Sequence, residues 1–420
     1  MMLKRISAFS LILIIVASIG ISNSAQPVSL KNLVDEALNN NPQIQAAKFR
    51  YEAARARISL LRSLDNPKFE YEYDKITADM YAVMRGKTGP MNTFSISQEI
   101  PFPTKLILKK QSAQKEANAF EQDYKETQAK VIKDVKDAYF QLFLSEKKIS
   151  LTKENLDLLN QLVETINKKY SVNLASQQDA LKAQVEHSKL SNQLVLLEQE
   201  EKIYQSMLNS LLNRQVQEEL IPVQEKDKGD LQLVEEKILQ LTKENRPELK
   251  SFKEMLRKSE IDFALSKQEY LPDFMLKYKR EEKDGRFPFG SWAGSVGFTI
   301  PLWFWDKQNS FVREAKADLE QARAQYKAEE NAVVFESRSA YAKFEAAKKL
   351  VKIYETGVLP QAQAAVENAQ KSYASKSIDF LDLLDTLRSE REFQMEYFEA
   401  LANLEIALAD LERSAGTDLI

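Results

Sequence analysis

From Thr104 to Ile221 the chain carries neither glycine nor proline, and from Leu302 to its end only Gly357, Pro360 and Gly416 interrupt. Compact domains of such length need frequent turns, so these stretches predict helices far longer than the ~11 residues usual in globular proteins. In the second stretch Ala315, Leu319, Ala322, Tyr326, Val333, Ala340, Phe344, Ala347, Val351, Tyr354 and Val358 follow alternating steps of three and four, interrupted at Glu329 and Glu336. Leu383, Leu387, Tyr397, Leu401, Leu404, Leu408 and Leu411 keep that spacing on the next helix. A sustained seven-residue repeat imposes a coiled-coil seam. Helices of ~60 residues are rods of roughly 90 to 100 Å, and the many alanines let such rods pack closely into a wall.

Composition removes several functions. With no cysteine and His187 as the single histidine, a zinc finger, a Cys/His nucleophile pair or a multi-histidine metal centre cannot be built from one chain. A net charge of -3 offers no basic field for nucleic acid. No glycine-rich phosphate loop precedes a helix. A carboxylate-based hydrolase would need a concave pocket of convergent acids, whereas the acids here lie mostly on helix surfaces. The expectation is no enzyme, no cofactor, no metal site and no nucleic acid. Near the N-terminus, Lys4 and Arg5 precede the apolar run Leu11 to Val16, and small residues follow to Ala25. This layout reads as a signal peptide over residues 1–25, its apolar stretch being shorter than the ~20 residues of a spanning helix.

The chain repeats itself. Asn41-Pro42-Gln43-Ile44 recurs as Arg246-Pro247-Glu248-Leu249, and Asn66-Pro67-Lys68-Phe69 as Leu271-Pro272-Asp273-Phe274. Further on, Ile100-Pro101-Phe102 recurs as Ile300-Pro301-Leu302, Ala138-Tyr139 as Ala340-Tyr341, and Tyr170 with Asp179 as Tyr373 with Asp382. The register holds through shifts of 200 to 205 positions, which predicts a first repeat over 26–222 and a second over 223–420. Each reads helix, strand, loop, strand, long helix, turn, long helix.

Strands are expected at about 68–77, 91–100, 273–282 and 291–300, because there the hydrophobic period becomes two. Phe69, Tyr71 and Tyr73 alternate with Glu70, Glu72 and Asp74. Strands of about ten residues are long enough to cross a bilayer when tilted. Trp292, Trp303, Trp305 and Phe102 lie at strand ends, as the aromatic girdle of a lipid-facing barrel does. Four strands cannot close a barrel, so the chain must oligomerise to span, and three copies would supply twelve strands.

Two polar turns join the long helices, one at Tyr170-Ser171-Val172-Asn173-Leu174 and one at Tyr373-Ala374-Ser375-Lys376-Ser377. Asp179 follows the first, and Asp379, Asp382 and Asp385 follow the second. Residues three apart share a helix face, so Asp382 and Asp385 present two carboxylates together. Stabilisation of a helix N-terminus by an acid is the plainer reading, strongest for Asp379.

The signal peptide, the duplicated units, the proline-bounded strands and the Tyr-turn-Leu-Asp-x-x-Asp segment together resemble the TolC-type outer membrane efflux proteins. Ser95-Ile96-Ser97-Gln98-Glu99-Ile100-Pro101-Phe102-Pro103 looks most like the heavy-metal and cation branch. The resemblance implies a homotrimer in the outer membrane, with a twelve-stranded β-barrel continued by an α-barrel tunnel into the periplasm. It further implies partners, a periplasmic adaptor and an inner membrane transporter of RND type, and a periplasmic constriction at Asp382, Asp385, Tyr373 and Asp179. Ser171, Val172, Asn173, Leu174, Ser375, Lys376 and Ser377 would meet the adaptor. Where relatives often have glycine in these turns the chain has Asn173 and Lys376, and Ile378 stands where some have a gating arginine. The alternative is a non-spanning periplasmic coiled-coil adaptor or scaffold, which should lack paired amphipathic strands.

Overall fold

A computed structural model describes residues 29–76, 84, 89–172, 176–217, 232–283 and 291–419. The signal-peptide segment and the tip residues Asn173 and Leu174 lie outside the described residues. The first unit comprises α1 (Leu30–Asn40), α2 (Pro42–Arg62), β1 (Lys68–Ile76), β2 (Gly89–Ile100), α3 (Pro103–Ser171) and α4 (Gln177–Leu211). The second comprises α5 (Glu235–Asn245), α6 (Pro247–Gln268), β3 (Phe274–Lys283), β4 (Ser291–Phe298), α7 (Asn309–Ile353), α8 (Leu359–Ala374) and α9 (Phe380–Ala415).

The breaker-free runs become rods. Helix α3 has 69 residues, or roughly 100 Å at 1.5 Å per residue. Its counterpart is helical from Phe304 to Ala374, with one π turn (Phe304–Gln308) before α7 and another (Tyr354–Val358) between α7 and α8. Pro360 explains the second. It has no N–H for the Thr356 carbonyl, and a local π adjustment lets the rod continue past the missing bond. Between α1 and α2, Asn41 breaks the helix: its Oδ1 accepts from the Gln43 and Ile44 N–H groups at 2.9 and 3.4 Å, and its Nδ2 donates to the Leu211 carbonyl at 2.9 Å.

The four strands form one antiparallel sheet in the order β1-β2-β3-β4, so β2 and β3 pair directly across the two repeats. Register places Phe69 beside Ile96 and Tyr278, and Tyr71 beside Phe94, Arg280 and Trp292. Phe69, Ile96, Tyr278, Val296 and Phe298 are exposed, giving the sheet one solvent-facing apolar face. Towards the loop end this face turns polar, where Arg280 pairs with Glu282 at 3.4 Å and Tyr71 donates to Asn92 at 2.9 Å. The opposite face carries Glu70, Lys277, Lys279 and Glu281, with Ser95 and Thr93 buried among the longer side chains.

Below the sheet, Lys105 fixes the strands to the rods. It is 3% exposed, and its Nζ donates to Asp273 Oδ1 at 3.0 Å and to the Leu271 carbonyl at 3.1 Å, while Asp273 Oδ1 also accepts the Phe102 N–H at 2.8 Å. A buried ammonium so enclosed ties the start of α3 to the start of β3.

Leu319, Val333, Ala340, Phe344, Ala347 and Val351 of the seam are buried. The interruption at Glu336 meets Arg246, which is 1% exposed. Its Nη2 donates to Glu336 at 2.7 Å and Glu248 at 3.0 Å, and its Nη1 to the Arg413 carbonyl at 2.9 Å. Arg413 in turn binds Glu126 at 2.8 Å and Glu336 at 3.2 Å. Helices α3, α6, α7 and α9 meet in this cluster.

Asp137 on α3 makes stability pH-dependent. Burial pushes its carboxyl up to about 6, against the opposing pull of Lys133. A carboxyl whose folded pKa lies above the unfolded value contributes stability fully present below the unfolded pKa, which is lost as pH rises through the folded one. Between pH 4 and 7 the wild type should therefore lose roughly 2 kcal/mol from this group. In Asp137→Asn that slope should vanish, as thermal melts at pH 5 and pH 7.5 will read; an unchanged slope would assign it elsewhere.

Candidate functional site at the helix tips

The ends of both long hairpins converge on one core. Ile166, Ala180, Ala183, Leu190, Phe380 and Leu384 form a buried cluster drawn from α3, α4 and α9. Tyr373 packs on it, its ring centroid 6.2 Å from that of Phe380, and Lys169 Nζ sits 4.4 Å from the Tyr373 ring centroid. Tyr373 is thus a half-buried joint between the ends of α3 and α8.

Each turn has its own chemistry. Ser176 and Asp179 form a capping box at the start of α4: Asp179 N–H donates to Ser176 Oγ at 3.1 Å and Ser176 N–H to Asp179 Oδ2 at 3.2 Å. After α8 the chain closes a Schellman turn, in which Ser377 N–H donates to the Ser372 carbonyl at 2.8 Å and Lys376 N–H to the Tyr373 carbonyl at 3.2 Å. Lys376 therefore sits at φ 63°. Ser375 donates to the Ser372 carbonyl and shares a hydrogen bond with Ser377. Asp379 is the N-cap of α9 and accepts the Asp382 N–H at 2.9 Å.

Asp382 and Asp385 are exposed on one face of α9 and line an open groove of about 780 Å³ between α4 and α9. Lys182 and Lys189 face them from α4, and Arg388 lies one turn further along. Arg388 also donates to buried Glu186, 3.8 Å from Arg391. The Arg388 hydrogen bond and the two guanidinium charges hold the Glu186 carboxyl below its ordinary range, against burial. This triad locks the first repeat's helix to the second's at the level of the aspartates.

Sequence reasoning missed three structural devices: the Glu186 triad, the Lys105–Asp273 clamp and the Arg246 cluster. A signal for the first existed. Ala180, Ala183, Glu186, Leu190 and Leu197 share one stripe, so Glu186 is a charge standing at an apolar position. The aromatic positions are split between the two sheet ends: Trp292 near the loop end is 74% exposed, while Trp303 and Trp305 follow the sheet at the helix end, edge to face at 5.8 Å. Phe102 stacks on Phe274 at 6.3 Å at that same end.

A duplicated unit whose strands join in one sheet with an exposed apolar face, and whose helices run on as rods to charged tips, defines a class: membrane channels with a long helical extension. The model of the outer membrane efflux protein family matches residues 33–214 and again 238–417, and the chain belongs to that family. It is accordingly an outer membrane channel of efflux, not an enzyme. The fold is shared with the outer-membrane channel OprN, at TM-score 0.82 and 18% identity over 93% of this chain and 90% of that one. It is shared with the outer membrane channel CmeC of Campylobacter jejuni, at 0.78 and 18% over 92% and 85%. The outer membrane protein VceC of Vibrio cholerae gives 0.80 and 17% over 93% and 97%. None of the curated protein sequences matches significantly.

Proposed function

We propose that three copies of this chain, each matured near Ala25 and built of repeats over 26–222 and 223–420, close a twelve-stranded barrel and a coaxial helical tunnel. The observation that carries this is the single sheet, in which, among the described residues, β1 and β4 each pair on one side only while the apolar face is exposed. Unpaired backbone in lipid costs several kcal/mol per group, so the edges must meet those of other copies. Trp292 at one end and Trp303, Trp305 and Phe102 at the other would seat in the two interfaces. The channel is a passive duct that receives small molecules or metal cations from an inner membrane transporter of RND type through a periplasmic adaptor seated on Ser171 to Leu174 and Ser375 to Ser377.

In the trimer Asp382 and Asp385 would contribute six carboxylates to one constriction, with Tyr373 and Asp179 supporting the turns around it. Rings of acids favour cations, and Lys182, Lys189 and Arg388 in the same groove temper that preference. Planar-bilayer recording of Asp382→Ala with Asp385→Ala should give higher conductance and a reversal potential moved towards zero in a KCl gradient. A variant that keeps both wild-type values would show that the ring lies elsewhere.

A further inference from the structure

The ends of the hairpins carry lysines that the fold does not neutralise. Lys168 and Lys169 lie in the last turn of α3, Lys371 in the last turn of α8 and Lys376 in the Schellman turn. Among the described residues none of the four makes an ion pair. Of the carboxylates at this end, Asp179 and Asp379 cap helices and Glu186 is held by two arginines.

Helix dipoles account for part of this, because cations in a last turn stabilise the C-terminus. They account for Lys168, Lys169 and Lys371. Lys376 is different: it lies beyond the helix, is exposed, and holds a left-handed backbone conformation in which glycine would sit without strain. The turn around Lys376 is fixed by two backbone hydrogen bonds and by the paired Ser375 and Ser377 hydroxyls. Its charge is therefore presented in a set position at the end of the hairpin.

We infer that the tips accept a protein partner whose contacting turn presents Asp or Glu side chains, with Lys376, Lys371 and Lys168 as their counterparts. The inference rests on the reading of these tips as the adaptor-contact end. An anionic lipid surface would share the electrostatics. The pattern favours a protein, because the exposed Asp382 and Asp385 follow Lys376 by six and nine residues, and a uniform sheet of phosphates would meet repulsion there that a shaped partner avoids.

The test uses the detergent-purified full chain and two soluble helical-hairpin peptides identical except at the tip, one carrying Glu and the other Arg. Fluorescence anisotropy should show the Glu-tipped hairpin binding about tenfold tighter at low salt, the margin shrinking at 300 mM NaCl. Lys376→Gly keeps the turn and removes the charge, so it should weaken the Glu-tipped hairpin alone. Lys371→Glu with Lys376→Glu should reverse the preference. Equal or tighter binding of the Arg-tipped hairpin, binding of neither, or lysine-dependent binding only to vesicles of anionic phospholipid overturns the inference. A photo-crosslinker at Ser375 in cells separates the two layers. Capture of a periplasmic adaptor with a basic tip overturns the charge assignment and leaves the adaptor reading standing, whereas cross-links to no periplasmic adaptor overturn both.

Discussion

Arg246→Met should be among the most damaging single substitutions in the helical part of the chain, lowering stability by about 3 to 5 kcal/mol. The guanidinium is wholly buried and donates to Glu336, Glu248 and the Arg413 carbonyl, with Glu126 3.8 Å from its Nε. Burial already holds the carboxyls of Glu126 and Glu329 above their ordinary range, Glu329 being raised further by the charges of neighbouring glutamates. Without Arg246, Arg413 alone remains to meet the half-buried Glu126 and Glu336. Methionine matches the stem but returns no charge. Arg246→Lys should be intermediate, because an ammonium has no planar fork with which to meet Glu336, Glu248 and a carbonyl at once. The sign of the pH effect is diagnostic. Carboxyls with raised folded pKa values stabilise the folded state when protonated and cost stability as pH rises, so the Arg246→Met melt should recover on acidification from pH 8 to pH 5. Thermal melts of the detergent-purified protein at both pH values provide the measurement; a pH-independent loss would mean that packing, not charge, sets the penalty.

The Arg246 cluster also marks the limit of what the sequence discloses. The seam was legible because Leu319, Val333, Ala340 and Phe344 recur at coiled-coil spacing and are buried. The strands were legible because Phe69, Tyr71 and Tyr73 alternate with acids, and the pairing of β1 with β2 puts those aromatics on one face. Glu336 was visible as an interruption, yet its partner Arg246 lies ninety positions upstream. Periodicity reports which face a residue occupies and carries no information about which distant charge is brought to it. The tips illustrate the same limit. Asp382 and Asp385 were legible as a shared face, whereas the opposing Lys182 and Lys189 come from the other repeat. Asp179, picked out for its spacing, proves to complete a capping box.

Gly416→Ala should be nearly as costly as Arg246→Met, and for a reason that Gly294, Gly297 and Gly357 do not share. Three of the described helices end in the same Schellman geometry, with the left-handed position filled by Asn213 at φ 58°, Lys376 at φ 63° and Gly416 at φ 68°. Backbone strain alone cannot require glycine at the third, since asparagine and lysine tolerate it at the first two, at roughly 1 to 2 kcal/mol for an ordinary residue. The difference is the neighbour. A Cβ on Gly416 would lie 2.8 Å from the Asn245 carbonyl carbon and 2.9 Å from the Arg246 nitrogen, both backbone atoms that cannot rotate away. Overpacking of that kind adds about 1 to 3 kcal/mol, and relief would require the α5–α6 junction to move, carrying buried Arg246 out of its cluster. Gly416→Ala should therefore lower the melting temperature sharply and couple non-additively with Arg246→Lys in a double-mutant cycle. Gly357→Ala supplies the control, because a Cβ there meets nothing within 4 Å; it should leave stability unchanged or raise it by about 0.5 to 1 kcal/mol. Additive losses in the cycle would show that the glycine and the arginine act separately, and that the end of α9 does not position the charge cluster.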